Sequence, residues 1–148
     1  IDGLGIGASY FEFDGSGLAK STQEAESGAY YATYTTGPVS VGYSKALYAP
    51  FYKDDTAANY ATQADYYDQV NYSIAFAASD ALSISYEVES SEKILNNSSS
   101  VEQESSAVQV AYNMGGMTLA VSHASHDNNS YTDGNNTDQT LFAVTMAF

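Results

Sequence analysis

Apolar and polar residues alternate with a period of two along the whole chain, whereas a helical period of 3.6 is hard to find. The clearest stretch is 82–89, in which every even position is apolar or aromatic and every odd position is polar. Residues 39–44, 70–76 and 108–113 repeat this arrangement. Successive side chains of a strand point to opposite sides of its sheet, so these segments are predicted to be strands with one apolar face.

Weaker copies of the pattern bring the predicted total to about eight strands, and they lie at residues 4–13, 29–36, 117–125 and 139–148. The connecting segments alternate in length. Tight turns are predicted at residues 36–38, 78–81 and 113–116. Long polar loops are predicted at residues 14–27, 48–67, 91–103 and 127–138. Short turns at one end and long loops at the other are typical of an antiparallel up-and-down transmembrane β-barrel, here one segment over residues 1–148.

The two faces of such strands would meet different surroundings, because strands can span lipid only as a closed barrel. The predicted lipid-facing side chains are uncharged and apolar or aromatic: Val70, Tyr72, Ile74, Phe76, Leu82, Ile84, Tyr86, Val108, Val110, Tyr112, Leu119 and Val121. The predicted pore-lining side chains are mostly small and polar: Asn71, Ser73, Ser83, Ser85, Glu87, Glu89, Gln109, Thr118, Ser122 and Thr145.

The size of the inward side chains indicates the size of the barrel. An eight-stranded barrel is filled by its own side chains, whereas barrels of 16 to 18 strands enclose water. Small Ser, Gly and Ala side chains would leave a narrow barrel full of voids. We therefore favour the C-terminal half of a barrel of about 16 strands, with a complete small barrel as the alternative.

Composition and charge exclude several classes of function. The chain has 148 residues and a formal net charge of −14, with four Lys and no Arg, so binding to nucleic acid through phosphate contacts is not expected. Cysteine is absent, which removes disulfides and thiolate metal sites. No apolar run approaches the length of a spanning helix. Fourteen Tyr against six Phe and no Trp indicate a surface where apolar and wet surroundings meet.

Few residues are candidates for other chemistry. His123 and His126 should point to opposite faces of a strand, which is poor geometry for a two-histidine metal site. Asp127, Asp133 and Asp138 could form a weak calcium site, although solvated loop acids are the simpler interpretation. Glu87 and Glu89 could serve a glycosidase, but no companion acid can be placed, so pore-lining charge explains them better. We expect neither catalysis nor a bound cofactor.

The last segment of the chain carries a further pattern. Phe142, Val144 and Met146 alternate with small or polar residues and lead to a final Phe148. This run resembles the C-terminal assembly signal of bacterial outer-membrane proteins. Residues 2–10 and 108–122 resemble hairpins of alphaproteobacterial porins. The chain as a whole is therefore similar to the C-terminal part of an outer-membrane general porin.

The resemblance implies a homotrimer of barrels in the outer membrane of a Gram-negative bacterium, through which ions and small hydrophilic solutes diffuse passively. It also implies contact with lipid, lipopolysaccharide and the barrel-assembly machinery, and a last strand that ends in the periplasm. The sequence departs from the family in having no Arg cluster to face the acidic residues across a constriction. We expect a weak cation preference from the acidic wall.

Two other interpretations remain open. One is a complete eight-stranded outer-membrane barrel with a structural or adhesive role. The other is a secreted acidic β-sandwich adhesin that binds sugars through its Tyr residues.

Overall fold

A computed structural model of the chain describes residues 1–13, 23–51 and 60–147. Its strands are β1 (Leu4–Phe13), β2 (Ala25–Thr36), β3 (Val39–Ala49), β4 (Ala64–Ala77), β5 (Leu82–Leu95), β6 (Ser100–Asn113), β7 (Met117–Asp127) and β8 (Thr137–Met146). Two single turns of 3-10 helix occur at Tyr60–Thr62 and Asn129–Tyr131. No helix in these described ranges is long and apolar enough to cross a membrane.

Each strand pairs antiparallel with its neighbours in sequence, and together they form one sheet in the order β1 to β8. The prediction of eight antiparallel up-and-down strands is therefore confirmed. The sheet is open: within the described residues β1 and β8 each have one edge without a strand partner. The same residues form one sheet, not the two packed sheets of a β-sandwich.

Glycine, Ser and Asn make the tight turns at one end of the sheet, called here the turn end. Gly37 and Gly115 have φ angles of 55° and 81°, which residues with a Cβ adopt only with strain. Ser79 Oγ accepts hydrogen bonds from the backbone N–H groups of Ala81 and Leu82 at 3.2 and 3.1 Å. Asn113 Oδ1 accepts one from Gly115 N–H at 2.9 Å. Local hydrogen bonds and backbone freedom thus produce the predicted turns.

The opposite end, called the loop end, differs from the prediction. Residues 91–103 do not form a long loop, because β5 continues to Leu95 and β6 begins at Ser100, with a tight turn between them. Ile94 pairs with Ser100 and Lys93 with Val101. Both faces carry polar residues here, so the alternation disappears while the backbone ladder continues. The segments predicted as loops at residues 48–67 and 14–27 also contribute residues to β3, β4 and β2, and their remainders include positions outside the described residues.

The sheet is a single layer and buries almost nothing. Among the described residues only Ala64 and Ser91 are buried, at 2% and 5% exposure, although 44% of the chain is hydrophobic. A globular domain of this composition would instead enclose a core of large aliphatic and aromatic side chains. Both faces of the sheet are therefore surfaces, and the apolar residues must be understood as a surface property.

The β6–β7 turn offers a direct test of the backbone geometry. Gly115→Ala should destabilise the folded state by about 1–2 kcal/mol, because its φ of 81° strains a residue with a Cβ although no atom lies within 4 Å of the added methyl. Gly116→Ala is the matched control, since its Cβ would meet only Ala147 O at 3.5 Å. Urea unfolding in detergent measures both. Equal stability of the two variants would contradict the positive φ.

Candidate functional site

The registers of the seven strand pairs bring most of the large apolar side chains of the eight strands onto one face, called here the apolar face, whereas Phe11, Phe13 and Leu141 lie on the other. Paired residues of an antiparallel sheet project to the same side. Ile6 pairs with Ala32, Val41 with Ile74, and Ile84 with Val110. The same registers place on this face every predicted lipid-facing side chain, from Val70, Tyr72, Ile74 and Phe76 on β4 to Leu119 and Val121 on β7.

Charged residues on the apolar face are confined to the loop end. Lys45 Nζ lies 3.1 Å from Asp68 Oδ2, and Glu92 and Glu102 continue this charged row on β5 and β6. On β5 no charge occurs on this face from Leu82 to Glu92. That stretch measures about 33 Å along the strand, or about 23 Å in height at a tilt of 45°. On β5 the uncharged band is thus close to the roughly 25 Å apolar height of transmembrane barrels, whereas on β3 and β6 Lys45 and Glu104 begin the charged region two residues nearer the turn end.

Tyrosines line the loop-end border of this band. The rings of Tyr30 and Tyr43 lie 6.1 Å apart and those of Tyr43 and Tyr72 lie 5.3 Å apart, forming a row across β2, β3 and β4. On β1 the Tyr10 hydroxyl donates a hydrogen bond to Glu12 Oε2 at 3.2 Å. Tyrosine has an apolar ring and a polar end, which suits a boundary between apolar and wet surroundings.

The opposite side, called here the polar face, carries every predicted pore-lining residue. Asn71 pairs with Glu89, Ser73 with Glu87, and Ser85 with Gln109. The set continues with Ser83, Ser122, Thr118 and Thr145. The registers therefore separate the two predicted sets completely.

A shallow groove of about 360 Å³ lies on the polar face, lined in part by Ser40, Gly42, Ser73 and Glu87. Asn71 Nδ2 donates a hydrogen bond to Glu87 Oε1 and so orients that carboxylate. A Cβ at Gly42 would lie 2.5 Å from Ser73 Oγ, so the Ser73 hydroxyl occupies the space that glycine leaves open on the groove floor. The groove presents one oriented carboxylate among small hydroxyl groups.

A second concavity lies on the polar face near the loop end and is called here the tyrosine recess. It measures about 500 Å³ and is lined by Tyr48, Pro50, Tyr67, Gln69, Glu89, Ser91 and Tyr131. The Tyr48 and Tyr67 rings are nearly parallel, at 23° and 6.0 Å, and the Tyr131 ring lies 5.3 Å from that of Tyr67. Tyr131 Oη and Ser91 Oγ share a hydrogen bond of 2.7 Å.

The loop between β7 and β8, residues 128–136, positions Tyr131 over the polar face. Asn128, Ser130 and Tyr131 all have left-handed φ angles, of 52°, 60° and 54°. Asn128 Nδ2 donates to Glu102 O at 2.9 Å, and Ser130 N–H donates to Gln103 Oε1 at 2.8 Å. Left-handed residues with a Cβ cost about 1–3 kcal/mol each and persist only where other contacts enforce them. The anchors on β6 enforce this loop's fold.

Sequence reasoning missed the recess. Tyr48, Tyr67 and Ser91 fall in segments predicted as loops, and Tyr131 lies in a genuine loop. Tyr67 could have been found from the sequence, because extending the alternation of β4 from Asn71 through Gln69 places Tyr67 on the polar face. No local signal exists for Tyr131, because its position depends on hydrogen bonds to β6.

The histidines face opposite sides of β7, as predicted. His123 pairs with Val108 on the apolar face and shares a hydrogen bond of 2.9 Å with Thr140 Oγ1. His126 pairs with Ser105 on the polar face, and its ring lies 2.8 Å from Ser105 Oγ.

The candidate calcium ligands do not form a cluster. In the described part of the chain no three His, Asp or Glu side chains come close enough together to hold a metal ion. Asp127 and Asp138 belong to β7 and β8, and Asp133 lies in the loop between them. Amide side chains do the bracing of this loop: Asn128 Oδ1 accepts from Gly134 N–H at 2.9 Å, and Asn129 Nδ2 donates to Thr137 Oγ1 at 3.0 Å. The weak calcium site stays a prediction.

The residues of the predicted assembly signal lie on the apolar face of β8. Phe142, Val144 and Met146 pair with Val121, Leu119 and Met117. Their exposures are 75%, 58% and 55%. Phe148 lies outside the described residues.

Comparison of the chain with protein-family models, with curated proteins and with solved structures gave no match. What the structure itself shows is an eight-stranded antiparallel up-and-down sheet with one apolar and one polar face.

The bracing of loop 128–136 can be tested with Asn128→Gly. Glycine keeps the left-handed backbone and removes both side-chain hydrogen bonds, so exchange of the Gly134 amide should accelerate about tenfold or more. Asn97→Gly is the control, because Asn97 Oδ1 accepts its hydrogen bond from Ser99 N–H within the β5–β6 turn. Hydrogen-exchange NMR in micelles measures both. An unchanged Gly134 rate in Asn128→Gly would show that the loop does not depend on Asn128.

Proposed function

We propose that the chain forms part of the wall of an outer-membrane porin, a water-filled β-barrel through which ions and small hydrophilic solutes diffuse passively. The observation that carries this proposal is a continuous apolar surface on one face of an eight-stranded sheet and a row of small polar side chains on the other, in a sheet that buries almost nothing. An apolar side facing lipid and a polar side facing water match this arrangement.

Contact with water would be energetically unfavourable for the apolar face. Ile6, Tyr72 and Phe142 are 73%, 59% and 75% exposed, and other large apolar side chains surround them in register. A contiguous patch of this kind far exceeds the few hundred Å² that soluble monomers usually expose. Lipid would cover it across the full height of the uncharged band. The tyrosine row would then lie at one membrane interface.

Closure requires partners for both edges of the sheet. Backbone groups in lipid must be paired, so β1 and β8 would each need a neighbouring strand. The polar-face side chains in the turn-end halves of β4 to β7 are small, mainly Ser, Ala, Thr and Asn, which favours a wider wall with further strands and an aqueous interior. Assembly as a trimer in contact with lipopolysaccharide belongs to the same proposal.

Loop 128–136 would narrow the channel from within. It folds over the polar face, where Tyr131 meets β4 and β5. Glu89 lines the same recess, and Glu87 lies one polar-face position further toward the turn end. Carboxylates on the wall of a narrow wet passage lower the energy of cations relative to anions. The channel is accordingly a weakly cation-selective one.

Planar-bilayer recording of the native protein, purified from membranes in detergent, tests the channel itself. We expect stepwise conductance and, under a salt gradient, a reversal potential on the cation-selective side. A protein that stays monodisperse without detergent and never conducts would contradict the proposal. Mass spectrometry of the same sample measures the length of the native polypeptide.

A pair of adjacent lysine substitutions tests the two faces. Tyr86→Lys should destabilise the folded protein by about 2–4 kcal/mol, because it places a charge near the middle of the proposed lipid-facing band. Ser85→Lys, on the polar face, should fold with nearly unchanged stability and shift selectivity toward anions. Unfolding titrations in lipid vesicles measure the first effect and reversal potentials the second. Equal tolerance of both substitutions would contradict the assignment of faces.

The acidic wall makes a separate prediction. Glu87→Gln and Glu89→Gln should each move the reversal potential toward zero, because each removes a negative charge from the water-facing side. Glu104→Gln is the matched control, since Glu104 pairs with Ser90 and lies on the apolar face. A shift with Glu104→Gln as large as that with Glu87→Gln would place the selectivity elsewhere.

A further inference from the structure

The tyrosine recess has the chemistry of a ligand site, and its features are independent of whether the chain conducts ions. Its volume of about 500 Å³ lies within the range of small-molecule sites, about 300–1,000 Å³. Three aromatic rings converge on it from three different elements: Tyr48 lies near the end of β3, Tyr67 lies near the start of β4, and Tyr131 comes from the segment between β7 and β8.

The rings form a platform rather than a packed core. Tyr48 and Tyr67 are nearly parallel and side by side across the strand pair, and Tyr48 is 50% exposed. A sugar ring in its chair form has a flat patch of C–H groups that packs well against such an aromatic surface. Ring hydroxyl groups project around that patch and need donors and acceptors at its rim.

Polar side chains of the needed kind surround the platform. Gln69 and Glu89 project to the polar face beside the rings, and Ser91 is buried beneath Tyr131. An amide offers both donors and an acceptor, and a carboxylate accepts two or more hydrogen bonds. Planar groups of these types can each bind adjacent hydroxyl groups of one sugar.

The charges near the recess disfavour an anionic ligand. Glu89 is among the side chains that line it, whereas Lys93 projects to the polar face opposite Tyr67, two residues beyond Ser91, and is not among the lining residues. In ranges 1–13, 23–51 and 60–147, Lys93 is the cationic residue that the registers place on this face, while Lys45 lies on the other. The recess therefore offers an aromatic surface with hydrogen-bond acceptors and an amide donor, which suits a neutral ligand rich in hydroxyl groups.

The loop that supplies Tyr131 is built in advance of any ligand. Ser130 and Tyr131 hold left-handed backbone angles at a cost, and anchors to Glu102 O and Gln103 Oε1 maintain them. The hydrogen bond to Ser91 then orients the Tyr131 ring beside Tyr67. Because the groups of such a site are already ordered, little of the binding free energy is lost in ordering them.

We propose that the tyrosine recess binds a neutral sugar, as a monosaccharide or disaccharide in its pyranose form, by stacking on Tyr48, Tyr67 and Tyr131 and hydrogen bonding to Gln69 and Glu89. Binding is weak and saturable, as suits a site open to solvent. This proposal goes beyond the channel and does not rest on it, because the recess would bind sugar equally in a protein that carries no current.

Saturation-transfer NMR on the native protein in detergent micelles tests the proposal with maltose and methyl glucoside as probes. Saturable binding of at least one of them is expected, and the absence of saturable binding of both would overturn the proposal. Tyr131→Leu should weaken binding by about tenfold or more, because it removes one of the three rings that form the site. Tyr131→Phe keeps the ring and should retain most of the affinity.

Tyr72→Leu is the matched control. It removes a tyrosine ring from the same sheet, but Tyr72 pairs with Tyr43 on the apolar face, so sugar binding should be unchanged. Since Tyr131 lies outside the strand ladder, Tyr131→Leu leaves the sheet's pairing intact. Equal affinity in Tyr131→Leu and the native protein would overturn the proposal. Tighter binding of tetramethylammonium than of either sugar would also overturn the proposal, because it would identify a cation site. Bilayer recordings do not enter this experiment, so a failed channel would leave its result unaffected.

Discussion

The continuous antiparallel ladder is the constraint on which the rest of the structure depends. Seven strand pairs keep a consistent parity, so that from Tyr66 onward an even-numbered residue of β4 faces the same side as an even-numbered residue of β5 and an odd-numbered residue of β7. A shift of one residue in any pair would exchange the faces of every strand beyond it. The arrangement of the two faces therefore depends on the register of every pair. In the described residues the register shifts between Ala64 and Tyr66, at the loop end of β4, beyond the apolar band.

Sequence reasoning predicted the turn end well and the loop end poorly, for a physical reason. At the turn end apolar residues continue up to Gly37, Ser79 and Gly115, so both the alternation and the turn chemistry mark the boundary. At the loop end both faces of β5 and β6 are mostly polar, and the strands are held together by the backbone ladder and by polar side-chain contacts such as that of Ser90 with Glu102. Those interactions leave no trace in side-chain periodicity, and the predicted long loop at 91–103 was wrong for that reason.

The two kinds of site residue differ in the same way. Asn71, Ser73, Glu87 and Glu89 follow from parity alone, because they lie on strands whose alternation is clear. The tyrosine recess depends on contacts between distant segments, such as that between Asn128 and Glu102, or that between Tyr131 and Ser91. Such contacts require the register of several strands and the left-handed turn of a loop at once. No pattern within a single segment encodes them.

The chemistry that braces loop 128–136 has one more consequence. In a chain with a net charge of −14, the side chains that brace this loop are uncharged, namely the amides of Gln103, Asn128, Asn129, Asn135 and Asn136 and the hydroxyl of Thr137. Hydrogen bonds between uncharged groups respond weakly to dissolved ions, whereas ion pairs at a surface are screened. Loop 128–136, which borders the recess, is therefore expected to keep its shape from low to high salt concentration. The charges of the nearby carboxylates are screened over the same range.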